Sequence, residues 1–175
     1  MLIMDGEAIA TALRRIASEI LESNAEPAKF ALVGIPSRGV ELARRLAEII
    51  GEIDGRQPET GMIDVAMHRD DLRLRKSVKS VQETRLPLHL EDITVILVDD
   101  VLYTGRTCRA AMDAISSFGR PGRIQFAVLL DRGHRELPIR PDYIGKKLPT
   151  SKEERVKVRL ENVDDEPDSV RVEQP

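Results

Sequence analysis

The stretch Val95–Thr107, VILVDDVLYTGRT, ends an apolar run on two adjacent aspartates, Asp99 and Asp100. A small hydroxyl-rich turn follows, Thr104-Gly105-Arg106-Thr107. Carboxylates accept hydrogen bonds from vicinal diols, and hard cations prefer oxygen ligands. The acidic pair therefore suits sugar hydroxyls and a magnesium ion and repels phosphate. The turn is suited to the opposite task. Where it opens a helix, its backbone N–H groups and the helix dipole favour an anion. Gly105 lets the backbone approach closely, and Thr104 and Thr107 add donors. Diol acceptors beside a phosphate cradle describe a site for a ribose 5-phosphate. The competing reading is an ordinary strand–turn–helix with solvated aspartates. An aspartate pair alone would not separate the two; the whole string favours the sugar-phosphate site. The chain carries no G-x-x-x-x-G-K-[ST], and no G-x-G-x-x-G follows its first apolar run, so P-loop and dinucleotide sites are unsupported.

The elements that must position these residues are visible in the pattern. Asp5 is placed to cap a helix carrying Ile9, Leu13, Ile16 and Ile20, which ends near Asn24 ahead of Pro27. Phe30–Ile35 reads as a buried strand. Leu42, Leu46, Ile49 and Ile53 form a second helical stripe, closed by Gly51 or Gly55. Ile63, Val65 and Met67 alternate as in a strand. From Asp70 to about Leu90 the pattern dissolves into charges, as in a long loop or ribbon. Val95–Val98 is a strand. Cys108, Met112, Ile115 and Phe118 mark a helix ending at Gly119, Ile124–Leu130 is another buried strand, and Arg155–Leu160 alternates weakly as a last one. Residues 164–175 read as an acidic, frayed tail after a single domain over 1–163. Strands alternating with helices imply an α/β fold with a mostly parallel central sheet flanked by helices. Ligands in such sheets bind at the carboxyl ends of the strands, where Asp99 and Asp100 lie.

Bulk properties narrow the class. A chain of 175 residues with 41% hydrophobic content can build an ordinary core. No apolar run is long enough to span a bilayer, and MLIMDGEAIA has no basic leader region, so neither membrane nor secretion is expected. Cys108 is the only cysteine, which precludes an internal disulfide and suits a reducing cytoplasm. A net charge of -3 argues against a protein that coats nucleic acid generally, while leaving room for a local basic face. His68, His89 and His134 are far apart in sequence and make no zinc spacing. Cys108 falls on the apolar stripe of its helix, which favours packing over reactivity.

VILVDDVLYTGRT resembles the phosphoribosyl pyrophosphate (PRPP) motif of type I phosphoribosyltransferases. GIPSRG (34–39), HRDDL (68–72), DRGHRELPIRPDYIGK (131–146) and PTSKEERVKV (149–158) further resemble the PyrR family, bacterial pyrimidine regulators that also have uracil phosphoribosyltransferase activity. The resemblance runs from about Asp5 to Val163, and DRGHRELPIR is its discriminating piece. It implies the type I phosphoribosyltransferase fold, with a small hood and a mobile lid loop. It also implies Mg²⁺ as cofactor, PRPP, uracil and UMP or UTP as ligands, and a homodimer or higher homo-oligomer.

Carried over by position, Asp99 and Asp100 would hold the ribose hydroxyls, directly or through magnesium. Val101, Leu102, Tyr103, Thr104, Gly105, Arg106 and Thr107 would wrap the 5-phosphate. Ser37 and Arg38 resemble the pyrophosphate-binding loop, which makes Arg38 a catalytic candidate beside the aspartates. Arg69, Arg73, Lys79 and Arg85, in or beside a lid over 70–90, are candidates for neutralising pyrophosphate. Arg132 and Val156 match positions that frame the uracil nucleotide; the alternatives for Arg132 are capping its own loop or an ion pair with Asp131. His134 is equally an acid–base candidate or a loop histidine held by hydrogen bonds. Purine-type members place an aspartate base where this chain has Tyr103, and a phenol is a poor base at neutral pH, so no general base is assigned.

The resemblance also implies uridine-nucleotide-dependent binding of pyr operon leader mRNA, promoting transcription attenuation. Arg14, Arg15, Arg69, Arg73, Lys152 and Arg155 are the candidates for that face. Glu19, Glu22 and Glu26 follow Arg14 and Arg15 and oppose phosphate contact. The alternatives are a salvage uracil phosphoribosyltransferase that has lost RNA binding, or a nucleotide sensor with negligible turnover.

Overall fold

A computed structural model describes residues 1–66 and 83–175. Asp5 caps helix α1 (Gly6–Ser23), its side chain accepting from the Ala8 N–H at 2.8 Å, and Asn24 closes it. Strand β2 (Phe30–Gly34) is buried along its whole length and runs into helix α2 (Arg38–Asp54). Gly55 ends α2 at φ 87°, a left-handed cap that glycine adopts without steric cost. Strands β3 (Glu59–Met62), β4 (Thr94–Leu102), β5 (Arg123–Asp131) and β6 (Tyr143–Lys147) complete a five-stranded sheet of order β3-β2-β4-β5-β6. All four pairings in it are parallel. Helix α3 (Arg106–Ser116) connects β4 to β5.

Alternation along the strands divides the core. Leu32, Ile96, Val98 and Leu129 pack with the apolar faces of α1 and α2. Val33, Leu97, Phe126 and Val128 face the other way, onto Cys108, Ala111 and Ile115 of α3. The sheet is therefore covered on both faces, as parallel sheets require.

A second sheet of three antiparallel strands forms the hood, in the order β1-β8-β7, from β1 (Leu2–Asp5), β7 (Arg155–Arg159) and β8 (Ser169–Glu173). A short turn of helix, α4 (Glu161–Asp164), links β7 to β8. Four sequence expectations differ from the structure. Residues 164–175 are not a frayed tail: β8 lies between β1 and β7, with Val170 and Val172 buried. The acidic side chains hid a strand whose alternate positions are Ser169, Arg171 and Glu173. The strand expected over Ile63–Met67 lies earlier, at Glu59–Met62, because that segment pairs in register with Ala31–Gly34; Ile63 and Val65 are buried beyond its end, and Met67 lies outside the described residues. The third helix stops at Ser116, leaving Phe118 exposed. Arg155–Arg159 is a strand as expected but not the last, and β1 and β6 carried too little apolar pattern to be read.

The chain leaves β2 toward β3 on one side and continues from β4 through β5 to β6 on the other. The carboxyl ends of β2 and β4 thus flank the point where the strand order reverses, where open α/β sheets form their ligand crevice.

Candidate active site

In-register pairing brings the first two loops together. Gly34 lies opposite Val98, and the Ile35 N–H donates to the Val98 carbonyl at 2.9 Å. The loop Ile35–Ser37 therefore runs beside Asp99 and Asp100. Its Pro36–Ser37 peptide bond is cis. Gly39, in the first turn of α2, is packed on the backbone of β4. A Cβ there would overlap the Val98 carbonyl oxygen and stand 3.3 Å from the Asp99 Cα.

Asp99 is 8% exposed and lines a cleft of about 240 Å³ with Val101, Leu102, Tyr103, Thr104, Gly105 and Thr107. Arg132 and Val156 face them across the same cleft. The structure thus brings together Asp99, Val101–Gly105, Thr107 and the two residues expected to frame the base, while Arg106 lies outside the lining and ion-pairs with Glu136 at 3.4 Å. It separates the acidic pair, however. Asp100 is not among the residues lining that cleft, and its charge acts on Arg38 at the start of α2. The Asp100 N–H donates to Asp99 Oδ1 at 2.9 Å, and the Val101 N–H to Asp100 Oδ1 at 2.8 Å.

The turn has the geometry of an anion site. Gly105 precedes α3 at φ 94°, and Thr104 Oγ1 accepts from the Arg106 N–H at 3.3 Å. A side chain at Gly105 would meet Ile139 at 2.9 Å. The buttress behind the turn is the segment DRGHRELPIR. The Glu136 and Leu137 N–H groups donate to the Thr104 carbonyl at 2.9 and 3.2 Å. Arg135 donates to the Tyr103 carbonyl at 3.0 Å, to the Ile139 carbonyl at 3.0 Å and to Asp131 at 2.7 Å. Burial pushes the Asp131 carboxyl up, but the Arg135 bond and the Gly133 N–H outweigh it and hold the group below its ordinary range. Sequence reading missed Arg135. The signal was its i+4 spacing from Asp131 at a strand end.

Arg132 does not pair with Asp131. It is 8% exposed and donates to Thr150 Oγ1, the Ser151 carbonyl and the Glu154 carbonyl, each at 2.9 Å. Its guanidinium lies 4.3 Å from the centre of the Tyr103 ring. His134 donates from Nε2 to the Thr150 carbonyl and meets Tyr103 edge-on at 5.6 Å. Arg132 also walls a second cavity of about 360 Å³ with His134, Lys147, Pro149 and Thr150.

Arg38 begins α2 and pairs with the hood: its Nε and Nη2 donate to Asp164 at 3.1 and 2.7 Å. Burial lowers the Arg38 pKa, but the Asp164 bonds and the charges of Asp100 and Asp164 raise it above its ordinary value. Ser37 is exposed at the helix start and makes no side-chain cap. Arg85 is not in the cleft. Its backbone bridges Met62, and its side chain ion-pairs with Glu83 at 3.4 Å beside a separate cavity lined by Phe30, Glu59 and Thr60. Arg69, Arg73, Lys79, His68 and most of the expected lid lie outside the described residues.

The RNA candidates that are described fall into two groups. Arg14 is exposed on α1, 3.9 Å from Glu52. Arg15 is spent on Glu19 and on the carbonyls of Ile144 and Gly145, along β6. Lys152 and Arg155 are exposed at the start of β7. No hydrogen bond or ion pair among the described residues joins these two groups. No helix among the described residues is long and apolar enough to cross a membrane. Among the described residues no cluster of three or more His, Cys, Asp or Glu is placed to hold a metal. A cation at Asp99 and Asp100 would thus take most of its ligands from substrate oxygens and water, as magnesium does in phosphate sites.

The phosphoribosyl transferase domain family model matches residues 3–162. The chain is 52% identical over 164 residues to "Bifunctional protein PyrR" of Bacillus mycoides (strain KBAB4), covering 93% of this chain and 91% of that one. The protein of that name from Bacillus cereus (strain B4264) matches to the same extent. The hypoxanthine phosphoribosyltransferase of Trypanosoma cruzi has the same fold, with a TM-score of 0.74 at 19% identity over 99% of this chain and 96% of that one. A hypoxanthine-guanine phosphoribosyltransferase from Bacillus anthracis aligns with a TM-score of 0.66 at 16% identity, over 85% and 84% of the two chains. The domain match over residues 3–162 and 52% identity along nearly the whole chain show that the chain belongs to the phosphoribosyltransferase family and, within it, to the PyrR family.

Proposed function

We propose that the protein joins uracil to PRPP, giving UMP and pyrophosphate, and that it also acts as a regulator of pyrimidine biosynthesis. The observation that carries the catalytic reading is Asp99 sharing one cleft with the Thr104–Thr107 turn, opposite Arg132 and Val156. In the reaction the uracil N1–C1′ bond forms, the bond from C1′ to the pyrophosphate oxygen breaks, and the N1 proton passes to water or to the departing pyrophosphate. Asp99 accepts from the ribose hydroxyls of PRPP. The Thr104–Thr107 turn holds the 5-phosphate through backbone N–H groups and hydroxyls. Arg38 and the Ile35–Ser37 loop meet the pyrophosphate, and Arg132 and Val156 form the wall on the uracil side. The leaving group carries several negative charges, so cationic stabilisation supplies much of the rate. Magnesium, held by substrate oxygens beside Asp99 and Asp100, would add charge neutralisation on the leaving pyrophosphate. Tyr103 lies beneath the Arg132 guanidinium and is not assigned as a base.

The regulatory half is binding of pyr leader RNA controlled by UMP or UTP in the same cleft. Lys152 and Arg155 are its best-placed described candidates, because Arg15 is already engaged along β6. Assembly as a dimer or higher oligomer in the cytoplasm belongs to this reading. Two measurements test it. Purified protein with uracil, PRPP and Mg²⁺ should form UMP, and Asp99→Asn with Asp100→Asn should abolish turnover without altering the fold. Turnover at background in the wild type, or retained in the double variant, overturns the assignment. A gel shift with leader RNA should respond to UMP or UTP at moderate salt; no response to either overturns the regulatory half.

A further inference from the structure

Arg38 is expected to meet pyrophosphate, yet two of its three guanidinium nitrogens are committed to the hood. The partner, Asp164, lies in α4, in the stretch that links β7 to β8 and is 126 residues away in sequence. Its carboxylate is 9% exposed and gathers four donors. Oδ1 accepts from Arg38 Nη2 at 2.7 Å and from Arg159 Nη1 at 3.2 Å. Oδ2 accepts from Arg38 Nε at 3.1 Å and from the Leu160 N–H at 2.8 Å. The backbone N–H of Leu160 and the Arg159 side chain fix Asp164 independently of Arg38, so it is a rigid platform rather than a mobile partner. Among the described residues Arg38 Nη1 has no hydrogen-bond partner.

We infer that Asp164 is a positioning residue for the pyrophosphate end of the site: it grips the Nε/Nη2 edge of Arg38 so that the Nη1 edge meets the leaving anion. The inference rests on the reading of Arg38 given above. Its physical basis is entropic. A free arginine at a helix start must lose several rotatable bonds when it takes hold of an anion. A bidentate carboxylate removes that freedom beforehand, and the planar fork transmits the fixed orientation to the remaining nitrogen. Charge alone predicts the opposite effect, since a carboxylate behind the arginine weakens its pull on an anion. The sign of a neutralising substitution therefore separates the two.

A second tie between hood and α2 provides the control. Asp168, whose side chain is 18% exposed, pairs with Arg45 and accepts from the Glu161 N–H at 2.9 Å but does not touch Arg38. The experiment is titration of the full-length protein with magnesium pyrophosphate by calorimetry, alongside thermal melting and the PRPP and uracil KM values. Asp164→Asn should weaken pyrophosphate binding about tenfold, the size of one charged hydrogen bond. It should raise the KM for PRPP similarly and leave the KM for uracil within about twofold, while Asp164→Glu recovers part of the loss. Asp168→Asn should lower the melting temperature to a similar degree with pyrophosphate affinity unchanged. Tighter pyrophosphate binding by Asp164→Asn overturns the inference and makes Asp164 a competitor of the substrate. Equal loss of affinity in both variants overturns it as well, reducing Asp164 to hood stability. Wild-type pyrophosphate binding without turnover would refute the transferase assignment and leave this inference standing.

Discussion

Gly39→Ala tests whether the site depends on the close approach of α2 to β4. The added methyl would overlap the Val98 carbonyl oxygen and lie 3.2 Å from its carbonyl carbon and 3.3 Å from the Asp99 Cα. All three are backbone atoms, so no side-chain rotation relieves the contact. The helix start must retreat from the strand by roughly 1 Å to restore ordinary contact distances of about 3.5 Å. That movement carries Arg38 away from Asp100 and shifts the Ile35–Ser37 loop, which is bonded to Val98. A misplacement of about 1 Å in a positioned site costs on the order of 100-fold in rate. Overpacking of this kind costs about 1–3 kcal/mol in stability, or several degrees in Tm for a chain of this size. The assay is UMP formation under kcat/KM conditions for PRPP, with thermal melting on the same preparations. The expected result is a loss of about 100-fold in kcat/KM with a folded protein. Activity within about threefold of wild type, at unchanged Tm, would refute the argument that this contact sets the distance between the two loops.

Three further outcomes follow from other contacts. Arg135→Lys keeps a cation for Asp131 but loses the bonds to the Tyr103 and Ile139 carbonyls; the KM for PRPP should rise about tenfold, and an unchanged KM would show that the turn does not need its buttress. Glu41 is held down to about 2 by its bonds to Arg44, against burial, with help from Arg45 and Asn162, and Asp131, Asp164 and Asp168 are also lowered. The unfolded chain therefore binds more protons in acid, so stability present above about pH 4.5 should fall steadily toward pH 2, with Glu41 contributing up to about 3 kcal/mol. Urea midpoints at pH 7, 5 and 3 measure this, and Glu41→Gln should flatten the slope; an identical slope would contradict the assignment. Burial, with the charges of Asp99 and Asp142, pushes the Cys108 thiol up to about 12. Its reaction with a disulfide reagent at pH 8 should be slower than in the unfolded chain by about a thousandfold, and equal rates would disprove its burial.

Local pattern sufficed for what local physics decides. The cap at Asp5, the stripe of α2, the buried runs of β2, β4 and β5, and the turn at Gly105 each follow from side-chain period, capping or a positive φ within a few residues, so each could be read directly. Most residues lining the cleft were legible too, from the segment Val101–Gly105 with Thr107 and from the family resemblance for Arg132 and Val156, but Cys108 and Phe126 were not, and Arg106 lies outside the lining. Tertiary structure decided what depends on partners distant in the chain. The five residues of β8 are polar at alternate positions and became a strand only because β1 and β7 supply its backbone partners. The adjacent aspartates read as one acidic pair, but only Asp99 lines the cleft, while the charge of Asp100 acts on Arg38. The pairing of Arg38 with Asp164 spans 126 residues, and no spacing rule reaches that far. Short-range sterics and periodicity are written in the chain order. Long-range pairing is settled only when the sheet register and the hood bring the remote partners into contact.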